Sequence, residues 1–426
     1  MPPPVAWSAY DAAVPHTTGL AGAQERFAAL RPRRRLAVDD PLALLREVVV
    51  VVSSSRGGST LFGELLRRCG GLLHLRAEVN PLFVVAGLGG EGDRGMLAAE
   101  LAAEVGSPAA HLGEEEVEDL ALAWAWRLVA QWPELDIDPD EAAGWVRASA
   151  GAGADLNLAV LERAMAAHPG VNPWYYDLPA ATVAQRFPGA RPPAGPPGER
   201  LVEMPPFVLL RPWRRADAEA LASRPLVLTT PRNSFRLAFF RDLFPNARLR
   251  VVHLTRNPAA AVNGLVDGWR HHGFFNVAVD VPLRIRGYSD AFPAWGGRWW
   301  NYDFPPGWRH LVDADLVDVA AHQWASHHEA ALSYLAATGV EACRVRFEDV
   351  VGPRRAAVLA ELGEWLGVGP ALRAVAAADL PPVMATAPPR PRRWEARAAE
   401  LEPALRGAVV RDMAARLGYA DRADWD

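Results

Sequence analysis

Five consecutive valines, Val48 to Val52, run straight into Ser53-Ser54-Ser55-Arg56-Gly57-Gly58-Ser59-Thr60, after which Leu61, Leu65 and Leu66 recur at helical spacing. An unbroken β-branched run suits a strand buried on both faces of a parallel sheet, because neither face then carries polar residues. A strand, a turn of small residues and an amphipathic helix together open an α/β unit. Gly57 and Gly58 let the backbone fold closely around a ligand. Ser59 and Thr60 bring hydroxyls and free N–H groups to a helix N-terminus, where anions are stabilised. Arg56 adds a full positive charge at the mouth. An ordinary Gly-Ser turn accounts for each of these features singly, but not for their coincidence.

The pattern of strand, loop and helix recurs. Leu226 to Thr229 and Leu249 to Leu254 read as short strands, each followed by a helical pattern. Asn257-Pro258 supplies a helix cap with Pro at the first helical position. Val262, Leu265, Val266 and Trp269 then form one apolar face. From 342 to 348, Cys343, Val345 and Phe347 alternate with Arg344, Arg346 and Glu348, which predicts a further strand. Leu359, Leu362 and Leu366 before Gly367 mark a helix and its stop. Leu401, Leu405, Val409 and Met413 mark a single last helix, ended by Gly418. The expected fold class is α/β: a mainly parallel central sheet flanked by helices, with a phosphate-binding loop after the first strand.

Along the chain, residues 1–45 read as an N-terminal extension whose Arg31, Arg33, Arg34 and Arg35 form a solvated charge cluster. Residues 46–426 read as one domain. Within it, 96–170 is a helical insertion carrying Trp124, Trp126, Trp132 and Trp145, expected to form a lid or side layer. Residues 188–200 are a Pro/Gly-rich loop, 266–310 an aromatic-rich acceptor segment, and 385–426 a C-terminal covering segment and helix.

Composition narrows the chemistry. The chain of 426 residues contains no Lys, so all 45 basic residues are Arg. Lysine Schiff bases, catalytic lysines and the Walker lysine are thereby excluded, and the Walker spacing is absent as well. No G-x-S-x-G elbow surrounds Ser59. A formal charge of −5 argues against wholesale binding to nucleic acid or anionic membrane. Cys69 and Cys343 form no disulfide framework and have no metal-ligand spacing. The apolar run at Val48 to Val52 is far too short to span a bilayer. Met1-Pro2-Pro3-Pro4 opens no secretory signal, so a cytoplasmic location is expected. The excess of Arg, Ala and Pro suits high-GC bacterial coding. Oligomeric state has no legible signal in the sequence.

Set in order along 46–426, several segments resemble one family. SSSRGGSTLFGELLRR resembles the 5′-phosphosulfate loop of bacterial-type sulfotransferases that use 3′-phosphoadenosine 5′-phosphosulfate (PAPS). RVVHLTRNPAAAVNGL, residues 250–265, resembles their 3′-phosphate motif. RVRFEDVVGP, residues 344–353, resembles the Arg-Tyr-Glu-Asp strand end of bacterial members, and PPRPRRWEARAAELEP with RLGY resembles their C-terminal ending. The resemblance implies a P-loop-like sulfotransferase fold, and PAPS as co-substrate with 3′-phosphoadenosine 5′-phosphate as product. It implies that Arg56 contacts the bridging oxygen and leaving phosphate, that Gly57, Gly58, Ser59 and Thr60 hold the phosphosulfate, and that Arg256 binds the 3′-phosphate. It also suggests that the segment with Arg392 and Arg393 folds back over the nucleotide. Two departures stand out: Gly264 occupies a position usually held by Ser, and Thr229 opens Thr229-Thr230-Pro231-Arg232-Asn233 where many relatives have Lys.

An acceptor hydroxyl needs a base or a strong hydrogen-bond acceptor. Glu78, 22 positions after Arg56, resembles the glutamate of tyrosylprotein and some bacterial sulfotransferases; otherwise it is a capping or surface carboxylate. His74 is the alternative base. His253 reads as a core histidine, and His271, His272, His327 and His328 as possible acceptor contacts. No cluster reads as a metal site. Of the 16 tryptophans, Trp269, Trp295, Trp299, Trp300 and Trp308 share a segment with Phe274, Phe275, Tyr302 and Phe304. Such density serves either core packing or a flat wall for a lipid, sugar or aromatic acceptor. The expected reaction is sulfuryl transfer from PAPS to a hydroxyl of a small molecule, lipid or saccharide, as in natural product modification. The alternatives are a nucleotide-dependent kinase on a related fold and an inactive nucleotide-binding protein.

Overall fold

The computed structural model describes residues 40–85, 94–132, 135–192, 211–271, 276–380 and 382–425, together with Glu25 and Arg33. Most of the 1–45 extension, the part of the Pro/Gly-rich loop from 193 onward, and His272, Phe274 and Phe275 lie outside the described residues.

Nine strands are described: β1 (Glu47–Val52), β2 (Leu73–Leu75), β3 (Val105–Pro108), β4 (Trp213–Arg215), β5 (Leu226–Thr229), β6 (Arg248–Thr255), β7 (Asn276–Ala278), β8 (Trp299–Asn301) and β9 (Ala342–Arg346). Seven of them form the main sheet in the order β4-β3-β2-β5-β1-β6-β9, while β7 and β8 pair as a separate hairpin. The five strands from β2 to β9 in that order are mutually parallel, and β3 and β4 extend the β2 edge antiparallel. Register is set at the centre, where Val50 faces Leu228 on one side and Val251 on the other.

The valine run works as its pattern requires. Val48, Val50 and Val52 enter the core on one face of the sheet, and Val49 and Val51 enter the core on the other. All five are essentially inaccessible, and each buried Val side chain contributes about 1.5 to 3 kcal/mol relative to exposure. The nearer face is closed by α1 (Ser59–Arg67), through Phe62, Leu65 and Leu66. Opposite it lie α2 (Glu114–Gln131), α3 (Pro139–Ser149) and α4 (Leu156–Ala167). Beyond β6 come α5 (Pro258–Trp269), α6 (Leu316–Thr338), α7 (Arg355–Leu366), α8 (Ala398–Arg406) and α9 (Ala408–Leu417).

Three expectations change. The stretch 96–170 is not wholly helical, because Val105–Pro108 pairs with β2 and β4 inside the main sheet. The alternation at 342–348 ends as a strand at Arg346; Phe347–Val351 is a one-turn helix. The last apolar pattern is two helices broken at Gly407, which leaves Val409 53% exposed. Gly367 and Gly418 end their helices in the left-handed conformation, as their positions suggest.

The aromatic segment builds a second core. Trp269, Trp300 and Tyr288 are fully buried and meet edge to face, and Trp300 packs on Phe304 and Trp308. Residues of α5, α6, α8 and α9 complete that cluster. The described rings therefore serve packing, one of the two uses that their density allows.

Candidate active site at the carboxyl edge of the sheet

Because five strands are parallel, the loops that follow them emerge at one edge. These loops carry Ser53 to Gly58 after β1, Arg76 to Glu78 after β2, Thr230 to Arg232 after β5, Arg256 and Asn257 after β6, and Phe347 and Glu348 after β9. The chain leaves β1 toward β2 and leaves β6 toward β9, on the opposite side. The connections diverge between β1 and β6, the kind of switch point outside which open α/β sheets bind ligands.

The loop after β1 is tightly folded. The Gly57 N–H donates to Ser54 O over 3.0 Å, and Arg56 has a left-handed φ of 62°. Gly58 has a φ of 95°, and a Cβ there would stand 2.2 Å from the Phe347 ring. Only glycine satisfies both constraints at 58. Gly58 also caps α1 without a side chain. The first-turn N–H groups beside Ser59 and Thr60 thus begin a nine-residue helix with no side-chain oxygen bonded to them at the cap.

The loops after β1 and β6 touch. Nη1 of Arg256 donates to the main-chain carbonyl of Arg56 over 3.0 Å, and its guanidinium lies over the Phe347 ring. Burial, together with the nearby charges of Arg56 and Arg393, pulls the Arg256 pKa down to about 10 against the opposing pull of Glu348 and Tyr419. The charges of Arg56 and Arg393 therefore both act on Arg256. Asn257 caps α5 through Ala260 N–H and donates from both its own N–H and its side-chain amide to Glu348 Oε1. Tyr419 donates to Glu348 Oε2 over 2.8 Å. The segments RVRFEDVVGP and RLGY thus meet behind Arg256.

A buried carboxylate joins the next pair of loops. Asp303, just after β8, accepts from Ser55 Oγ over 2.7 Å and from Arg232 Nε over 2.8 Å, and His327 Nε2 lies 3.1 Å away. Burial would raise its pKa, but Arg232, His327 and Ser55 together hold it far below the usual carboxylate range. Glu78 is nearby and partly buried. Burial raises its pKa and Asp303 adds to that, while Thr230, Arg67 and Arg232 oppose.

His74 lies elsewhere. It is buried within β2, and its Nε2 donates to Leu66 O over 3.2 Å. Burial and then Arg67 drive its pKa well below the ordinary value. Its hydrogen bond therefore runs to a helix carbonyl and not to the loops above. His253 and His328 form a buried pair, with Nε2 and Nδ1 2.9 Å apart between β6 and α6.

The C-terminal segment does fold across α5. Arg56 Nη1 donates to Met384 O over 2.7 Å. Arg393 pairs with Asp267, which also accepts from Arg397. Arg392, with a left-handed φ of 48°, pairs with Glu395 instead. A cleft of about 350 Å³ lies between α5 and this segment, bounded by Asn263, Asp267, Arg390, Arg393 and Arg397. Gly264 packs on Arg56 one turn away. Asp303, Thr230 and Asp267 were not singled out by the sequence. Asp303 sits inside an aromatic run without any motif spacing, so only its buried partners reveal it.

Among the described residues no group of three or more His, Cys, Asp or Glu is placed to hold a metal ion, and no helix is long and apolar enough to cross a membrane. No protein-family model matches the chain, and no curated protein does. Two solved structures are similar to it. One is the sulfotransferase domain from the curacin biosynthetic pathway, at 14% identity over 88% of this chain and 98% of that one, with a TM-score of 0.37. The other is the sulfotransferase domain from the Synechococcus PCC 7002 olefin synthase, at 16% identity over 79% of this chain and 78% of that one, with a TM-score of 0.31. Likenesses of this size assign no residue here a role.

Proposed function

We propose that the protein transfers a sulfuryl group from PAPS to an acceptor hydroxyl. The observation that carries this reading is the contact between the Arg56 and Arg256 loops at the switch point of the sheet. Arg56 and Arg393 both depress Arg256, and a polyanion bound beside them relieves that repulsion. The donor carries a phosphosulfate at one end and a 3′-phosphate at the other, which suits two adjacent cationic loops. On this reading the N–H groups of Gly57 to Thr60 hold the phosphosulfate and Arg256 holds the 3′-phosphate. Arg393, on the segment folded over α5, adds charge near the same end.

In the reaction the acceptor oxygen forms a bond to sulfur as the bond from sulfur to the phosphate oxygen breaks. The electron pair of that bond leaves on 3′-phosphoadenosine 5′-phosphate, and the hydroxyl proton passes to Glu78. Arg56 stabilises the growing charge on the leaving oxygen, which is where fixed donors contribute most. Positioning and charge stabilisation supply the rest, as in phosphoryl transfer. Glu78 suits the proton, since burial raises its pKa above the ordinary carboxylate value. The acceptor is a small molecule, lipid or saccharide.

Thermal melts with PAPS, its 3′-phosphorylated product and ATP test the reading. A ligand at 100 times its Kd stabilises the folded state by about 2.7 kcal/mol. The two 3′-phosphorylated nucleotides should raise Tm more than ATP at equal concentration. An equal or larger shift with ATP would instead support the kinase reading.

A further inference from the structure

Glu78 is the end of a buried chain of side chains that begins at a guanidinium. Arg236 Nη1 donates to Asn80 Oδ1 over 2.6 Å, Asn80 Nδ2 donates to Thr230 Oγ1 over 3.0 Å, and Thr230 Oγ1 donates to Glu78 Oε2 over 3.1 Å. Arg236, Asn80 and Thr230 are each at most 3% exposed, and the Arg236 guanidinium lies 3.8 Å over the Phe83 ring. With Glu78 ionised, the direction of the chain is fixed. A guanidinium only donates, so the oxygen of Asn80 must face Arg236 and its NH₂ must face Thr230. An amide NH₂ likewise only donates, so the Thr230 oxygen accepts there and its single hydrogen is left for Glu78. A charge three residues away thus decides which oxygen of Glu78 is already occupied.

We propose that Thr230, aligned by Asn80 and Arg236, is the positioning residue that orients Glu78 and reserves its Oε1 for the acceptor proton. This rests on Glu78 serving as the base. As the acceptor oxygen bonds to sulfur, its proton moves to Oε1, while Oε2 keeps the Thr230 hydrogen bond. The groups acting on Glu78 are Arg67 from α1, Arg232 and Thr230 from the loop after β5, and Asp303 from the loop after β8. Of these, Thr230 and the two arginines favour the carboxylate; burial and Asp303 oppose it.

Removing the hydroxyl leaves the arginines in place but withdraws the aimed hydrogen bond. In Thr230→Val the titration midpoint of Glu78 should therefore rise, by about one pH unit for the loss of a hydrogen bond to a charged group. The base acts only when ionised, so the acidic limb of kcat should move to higher pH by the same amount. Thr230→Ser should restore both, while PAPS affinity stays within about twofold throughout. The midpoint is read by carboxyl-carbon NMR of the full chain with labelled glutamate, the Glu78 signal being the one lost in Glu78→Gln. Asn80→Ala, which keeps the hydroxyl but frees it to turn, should give a smaller rise, and it serves if Thr230→Val does not fold. An unchanged midpoint in these variants, or a rise that Thr230→Ser does not reverse, overturns the proposal. A reversible rise in a protein that makes no sulfated product upholds the alignment of Glu78 and counts against sulfuryl transfer instead.

Discussion

Gly264 in α5 packs directly on Arg56, so that a Cβ built at 264 would lie 3.1 Å from the Arg56 Cβ. A side chain at 264 would therefore press on Arg56. Arg56 already holds a left-handed backbone, and its carbonyl is bound by Arg256, so it has little room to give way. Gly264→Ser should weaken binding of 3′-phosphoadenosine 5′-phosphate by about tenfold, equivalent to about 1.4 kcal/mol, because the new side chain displaces Arg56. Titration calorimetry measures it. Tighter binding by the serine variant would mean that the hydroxyl finds the phosphate and that Arg56 yields.

Asp303 ties three parts of the chain together: Ser55 of the first loop, Arg232 of the β5 loop, and the aromatic hairpin that ends just before it. Removing one partner of a buried ion pair leaves the other charge uncompensated and costs about 3 to 5 kcal/mol. Asp303→Ala should lose stability on that scale in urea unfolding, with Arg232→Ala close behind. A double variant should lose less than the sum, since the two share one interaction. Strict additivity would separate the two residues energetically.

His253 and His328 are buried against one another, with Nε2 and Nδ1 2.9 Å apart. Burial, with Arg344 adding to it, pulls His253 down to about 3, and burial with His253 and His327 pulls His328 well below its ordinary value. Their folded pKa values lie below the unfolded ones, so as pH falls below about 6.5 the unfolded chain binds protons that the folded chain does not. Stability is full above that pH and falls on acidification toward 3. Each such group adds a slope of up to about 1.4 kcal/mol per pH unit. His328→Asn should flatten the fall between about pH 6 and pH 4; a slope equal to that of the unaltered protein would mean that His328 is protonated in the fold.

The centre of the sheet and its first loop follow from local pattern alone. The valines needed a strand covered on both faces, and the glycines and hydroxyls after them needed a tight turn into a helix. The cap at Asn257-Pro258 and the stop at Gly367 were equally legible, because each depends on neighbours within one turn of chain. The adjacency of Arg56 and Arg256 could be expected only through the family resemblance, since 200 positions separate them. Strand order made it a contact, by setting β1 beside β6. The break at Gly407 was illegible for the opposite reason: the apolar spacing continues through it, and only the packing of two short helices turns the chain there.

The local pattern of residues was enough for the kind of chain: α/β, without lysine, with a tight Ser/Gly turn into a helix after a doubly buried strand. Which polar residues act on one another was settled by the three-dimensional packing. His74 and Glu78 are four positions apart, yet one points its ring at a helix carbonyl inside the sheet and the other ends a chain of donors at the sheet's edge. Asp303 carries no motif at all. Burial decides such roles, because a charge removed from water must find its partners wherever the fold has brought them, and sequence separation has no bearing on that.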